Sequence, residues 1–183
     1  MQISGLVKTS LIDYPGKITA VVFTQGCNFR CGFCHNPDLI EQRSGIVDKK
    51  DVWDFLDSRR GKLDGVVITG GEPVLQKNLE NFIRRLKEQK FLVKLDTNGS
   101  NPRKLKKLLD DKLLDYVAMD IKGPLELYPR ISKYLNTKFI QESIDILKKS
   151  QIDYEFRTTV LPYYHQIPDF EKVGKIINGA SLY

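Results

Sequence analysis

The sequence predicts an α/β fold, an open or partial β/α barrel. Two observations predict it. Short runs rich in β-branched and aromatic residues alternate five times with stretches whose apolar residues recur at helical spacing, the pattern of parallel strands joined by helical crossovers. The least core-like residues fall just after those runs, at the carboxyl ends of the strands, where chemistry collects in such folds. A length of 183 residues suits one domain and buries a core without disulfide staples.

Ile3 to Ile12 reads as a leading strand, turned at Tyr14-Pro15-Gly16 to pair with Ile18 to Phe23. Gln25 to Pro37 forms a loop. Asp48 caps a helix whose buried side is Val52, Phe55 and Leu56 and which stops at Gly61. Val66 to Ile68 is a strand running into Thr69-Gly70-Gly71-Glu72-Pro73. A helix with Leu79, Phe82, Ile83 and Leu86 on one face follows. Phe91 to Leu95 is a strand ending at Asp96-Thr97-Asn98-Gly99. Asn101 and Pro102 open a helix with the stripe Leu105, Leu108, Leu109 and Leu113. Tyr116 to Met119 is a strand ending in Asp120-Ile121-Lys122-Gly123-Pro124. A helix covers Thr137 to Lys149, a strand Tyr154 to Val160, a helix Pro168 to Ile177. Ser181 to Tyr183 resembles the start of another strand.

The chain is 41% hydrophobic and 28% charged, with net charge +6. That permits an acidic partner, but the lysines cluster on helix faces and no RNA-binding motif accompanies them, so nucleic acid is not expected. No run reaches the roughly 18 apolar residues of a membrane span, and the first ten residues have no signal-peptide core. The protein reads as cytoplasmic, with no membrane partner. No classical acid–base pair is evident.

Three cysteines lie within eight residues as Cys27-x3-Cys31-x2-Cys34. An odd number at this spacing is no disulfide framework. Thiolates suit iron–sulfur clusters and zinc. Three cysteines on one loop can hold three irons of a [4Fe-4S] cluster and leave the fourth open. An open iron can chelate the amino and carboxylate groups of a methionine moiety and set a sulfonium beside a reducible cluster. A zinc site would use the three thiolates with His35, but ligation by the adjacent Cys34 and His35 is awkward in a tetrahedron. By itself His35 reads as a hydrogen-bonded loop residue.

The string Cys27-Asn-Phe-Arg-Cys31-Gly-Phe-Cys34 resembles the CxxxCxΦC signature of the radical S-adenosylmethionine (radical SAM) superfamily. The longer segment from Ser10 to Pro37 resembles the activating proteins of glycyl radical enzymes, above all those of anaerobic ribonucleotide reductase. The resemblance covers nearly the whole chain. It implies a single domain with a partial (β/α)6 TIM-like barrel of the radical SAM type, and an oxidoreductase that cleaves S-adenosylmethionine and leaves a glycyl radical on the reductase. A flavodoxin or ferredoxin would supply the electron. It places Phe33 near the adenine, with Cys34 and His35 beside the cofactor.

Gly70-Gly71-Glu72 resembles the GGE motif that contacts the methionine amino group; alone it is equally a tight strand-to-helix turn. Asp120-Ile121-Lys122 resembles a DxK stretch that contacts S-adenosylmethionine, so Asp120 and Lys122 are carried over. Arg157 is odd in a strand, and if it points into the barrel it needs an anion, for which the resemblance suggests the methionine carboxylate. Asp96, Thr97 and Asp120 match a monovalent cation site in the pyruvate formate-lyase activating relatives. His165 reads as structural. One departure concerns the sixth barrel strand, which in those relatives also carries a His that reaches the cofactor. The sequence lacks all or most of it, so the chain reads as C-terminally truncated or as an unusually short member. The alternatives are a radical SAM enzyme acting on a small-molecule or nucleotide-like substrate, and a non-catalytic metal-binding interaction module.

Overall fold

The computed structural model describes residues 1–41 and 47–183. β1 (Ile3–Ser10), β2 (Thr19–Thr24), β3 (Gly65–Gly70), β4 (Leu92–Thr97), β5 (Tyr116–Asp120) and β6 (Asp153–Arg157) form one sheet in chain order. β1 is antiparallel to β2 and every later pair is parallel. The helices are α1 (Lys49–Ser58), α2 (Leu79–Glu88), α3 (Pro102–Asp110), α4 (Tyr128–Ser132), α5 (Thr137–Lys148) and α6 (Ile167–Ile176). The sheet is open: five strands run parallel behind one antiparallel edge strand, as a partial barrel requires. Where a further parallel strand would begin, residues 181–183 form none, although the Leu182 carbonyl accepts a hydrogen bond from Phe156 N–H at 3.1 Å.

Strand register separates two faces. Val22, Ile68, Leu95 and Val117 stand opposite one another across four strands and are fully buried in the main core beneath the helices. The intervening residues face the other way. There Val21, Val67, Tyr116 and Ala118 make a second apolar cluster with Tyr14, whose ring lies 5.4 Å from that of Tyr116. The alternation carries Lys94, Asp96, Asp120, Glu155 and Arg157 onto that same face.

The caps follow the expected chemistry. The Asp48 carboxylate accepts from Lys50 N–H at 2.8 Å, and the Asn101 side chain accepts from Lys104 N–H at 3.1 Å ahead of Pro102. Strand ends differ from the sequence reading for physical reasons. β1 stops at Ser10, whose hydroxyl accepts from the Ile12 and Asp13 N–H groups and turns the chain. β6 stops at Arg157 because its neighbour β5 ends at Asp120. The short α4 escapes periodicity because five residues are too few to show it. Among the described residues no helix is long and apolar enough to cross a membrane.

Candidate active site at the cysteine loop

β2 ends at Thr24, and the loop beyond it is held by main-chain bonds. Gly26 N–H donates to Leu39 O at 2.7 Å, Cys27 N–H to Ile40 O at 3.0 Å, and Arg30 N–H to Ser132 O at 2.7 Å. The end of β3 packs directly against it: Gly71 N–H donates to Thr24 O at 2.8 Å and Glu72 N–H to Gly26 O at 2.7 Å. A Cβ on Gly71 would lie 2.1 Å from Gly26 O. The glycines therefore serve an approach of backbone to the chain's own cysteine loop, a role the letters GGE did not disclose.

Around this junction lies a cavity of about 210 Å³, several times the roughly 30 Å³ share of one water molecule. Cys27, Cys31 and Cys34, with Phe33 and His35, line it from the loop. Gly70, Gly71 and Glu72 come from the end of β3, Asp96 and Thr97 from β4, Asp120 and Lys122 from β5, and Arg157 from β6. The structure thus brings together every residue proposed in the sequence for the cluster, the cofactor or the cation. It adds Phe29, Asn36, Thr69, Asn98 and Thr159 to the wall. Of these, Asn98 was visible only as a letter of the DTNG stretch.

The three cysteines are free and half-buried. Burial pushes the Cys27 thiol up to about 11 and raises that of Cys31, so neither is a ready thiolate without a bound cation to displace its proton. Among the described residues no three His, Cys, Asp or Glu side chains gather tightly enough for a single metal ion. Three soft donors on one wall of a roomy cavity fit a four-iron cluster, whose cysteine ligands bind separate irons.

Glu72 is 1% exposed and turned into the protein. Its carboxylate accepts from Val74 N–H at 3.2 Å, Thr97 Oγ1 at 2.7 Å and Asn98 N–H at 2.6 Å. Burial raises its pKa to about 7 against those three bonds. It therefore rivets the β3 loop to the β4 loop. Arg157 finds its anions within the chain, at 3.2 Å from Asp120, 3.5 Å from Asp96 and 3.9 Å from Glu155. Lys122 Nζ lies 2.9 Å from Asp120 and 6.0 Å from the centre of the Phe33 ring. Burial opposes the Asp120 charge, but Lys122 and Arg157 outweigh it and lower its pKa. Lys94, missed in the sequence, is 1% exposed on β4 with its ammonium 2.7 Å from Asp96. Its signal was a lysine at an inward-facing position of an apolar run.

His165 is 5% exposed. Its Nδ1 accepts from Leu161 N–H at 3.1 Å, which leaves Nε2 to donate to Lys122 O at 2.9 Å. It ties the segment after β6 to the β5 loop, and in that segment the Tyr164 ring packs 5.7 Å from Phe33.

A family model described as the Radical SAM superfamily matches residues 21–173. A protein of Methanocaldococcus jannaschii, provisionally named a glycyl-radical enzyme activating enzyme, is 36% identical over 99% of this chain and 77% of its own length. The pyruvate formate-lyase-activating enzyme of Clostridium pasteurianum is 34% identical over 66% of this chain, which spans 52% of that relative. Among solved structures, native anSMEcpe with bound AdoMet superposes with a TM-score of 0.67 at 20% identity, covering 87% of this chain and 48% of that one. That likeness is one of fold.

Proposed function

The chain belongs to the radical SAM superfamily, among the relatives described as glycyl-radical enzyme activating enzymes, and from that premise we propose that it activates an anaerobic ribonucleotide reductase. The observation that carries the reading is the convergence of Cys27, Cys31 and Cys34 with the loops ending β3, β4 and β5 on one cavity. The choice of reductase rests on the Ser10 to Pro37 segment.

In this reading Cys27, Cys31 and Cys34 would hold a [4Fe-4S] cluster through their thiolates, with S-adenosylmethionine bound beside it in the same cavity. When bound, the cluster would pass on one electron from its donor for cleavage of the sulfonium to methionine and a 5′-deoxyadenosyl radical, which would take a hydrogen from a glycine Cα of the partner and leave as 5′-deoxyadenosine. The chain's own residues bind and orient. Gly70 and Gly71 present main chain at the mouth, Lys122 and Arg157 would share their charge between Asp120 and the methionine carboxylate and ribose, and Phe33 offers a ring to the adenine, with His35 at the rim. Glu72 supports them from behind, and Tyr164 packs against the Phe33 ring.

A monovalent cation held by Asp96, Thr97 and Asp120 has thinner support. Both carboxylates already face Lys94, Lys122 or Arg157, and the Thr97 hydroxyl is turned to Glu72. The electron donor in this reading is a flavodoxin or ferredoxin, and the reduced thiols suit the cytoplasm. Anaerobic reconstitution tests the proposal: iron near four per chain, and 5′-deoxyadenosine release on reduction. A Cys31→Ala protein should lose that release, and its persistence would sink the idea. A glycyl electron paramagnetic resonance (EPR) doublet on the reductase checks the partner.

A further inference from the structure

Asn98 is the one side chain outside the cysteine loop with a hydrogen bond to a cysteine sulfur among the contacts of the described residues. Its Nδ2 lies 3.9 Å from Cys27 Sγ and 3.1 Å from Asn28 Oδ1. Asn98 is 6% exposed, and its hydrogen bonds fix the orientation of its amide. Its Oδ1 accepts from Ser100 N–H at 3.0 Å, which fixes the oxygen on that side and turns the NH2 group toward the loop. Its backbone N–H is anchored on the Glu72 carboxylate at 2.6 Å. Cys27 Sγ also receives the Phe29 N–H at 3.4 Å. Cys27 is therefore the sulfur with two N–H donors.

We infer that Asn98 is a positioning residue that raises the reduction potential of the cluster through Cys27. The inference rests on the cluster-binding reading above. One-electron reduction adds negative charge that the sulfur ligands share, and an N–H aimed at a thiolate stabilises the reduced form more than the oxidised one. At 3.9 Å the contact is long for a neutral thiol, and a thiolate's charge strengthens it. In this enzyme class the potential faces two demands. A low potential drives sulfonium cleavage, and a potential raised by Asn98 lets a cellular carrier fill the cluster. Glu72 extends the same control to the β3 loop, because the Asn98 main chain hangs from its carboxylate.

EPR-monitored redox titration of the reconstituted protein tests the inference, with Asn98→Leu and the isosteric Asn98→Asp. Both variants should hold iron near the parent level and show a midpoint shifted to more negative potential. The shift should be larger for Asn98→Asp, which turns a carboxylate oxygen toward sulfur. At a fixed reductant potential the reduced fraction falls. An unchanged midpoint in a fully loaded Asn98→Asp protein overturns the inference and leaves the enzyme reading standing. Loss of iron from both variants overturns it too, by making Asn98 a structural support only. A parent protein that takes up no cluster sinks the functional reading with it.

Discussion

At the scale of single residues, the site is governed by where carboxylates find partners. Glu72 is the sharpest case, because its pKa of about 7 stands above the ordinary 4.5. Between those values the folded protein holds a proton that the unfolded chain has released. Stability from this group is fully present below pH 4.5 and is lost as pH rises through 7. Chemical denaturation of the cluster-free protein across that window should show the decline, and Glu72→Gln should flatten it whatever it does to the absolute value. The sequence could place Glu72 in the site but not aim it. GGE gives a position at a strand end, whereas the direction of the carboxylate depends on Thr97 and Asn98, which arrive from a different strand.

At the scale of elements, the alternation of strands and helices was legible because burial on one face imposes periodicity, and the caps at Asp48 and Asn101 were legible because their bonds are local. Strand ends were not, since β1 and β6 stop where a hydroxyl or a neighbouring strand stops them. The tight junction of β3 with the cysteine loop was also hidden, being a contact between segments far apart in the chain. It makes a firm prediction. Gly71→Ala puts a methyl 2.1 Å from Gly26 O, where only backbone can yield. The variant should keep a folded circular dichroism spectrum, and lose cluster uptake, measured as iron per chain, by tenfold or more.

At the scale of the whole molecule, the main core lies on the helix-covered face of the sheet, and Ile68 sits in it between Val22 and Leu95. Ile68→Ala leaves a cavity there and should lower the free energy of unfolding by about 2–5 kcal/mol, as measured by urea titration. Parallel order from β2 to β6 sets the carboxyl ends of those five strands on one rim, so a change that frays any of them reaches the cavity. The cysteine loop itself is fastened through amide and carbonyl groups at Gly26, Cys27 and Arg30. Main-chain groups are the same in every amino acid, so these three anchors do not depend on which side chains the exposed positions of the loop wear. Mutational drift at its outward positions can therefore redraw the surface that other proteins meet while the sulfurs keep their places, so this fold can acquire new clients faster than new chemistry.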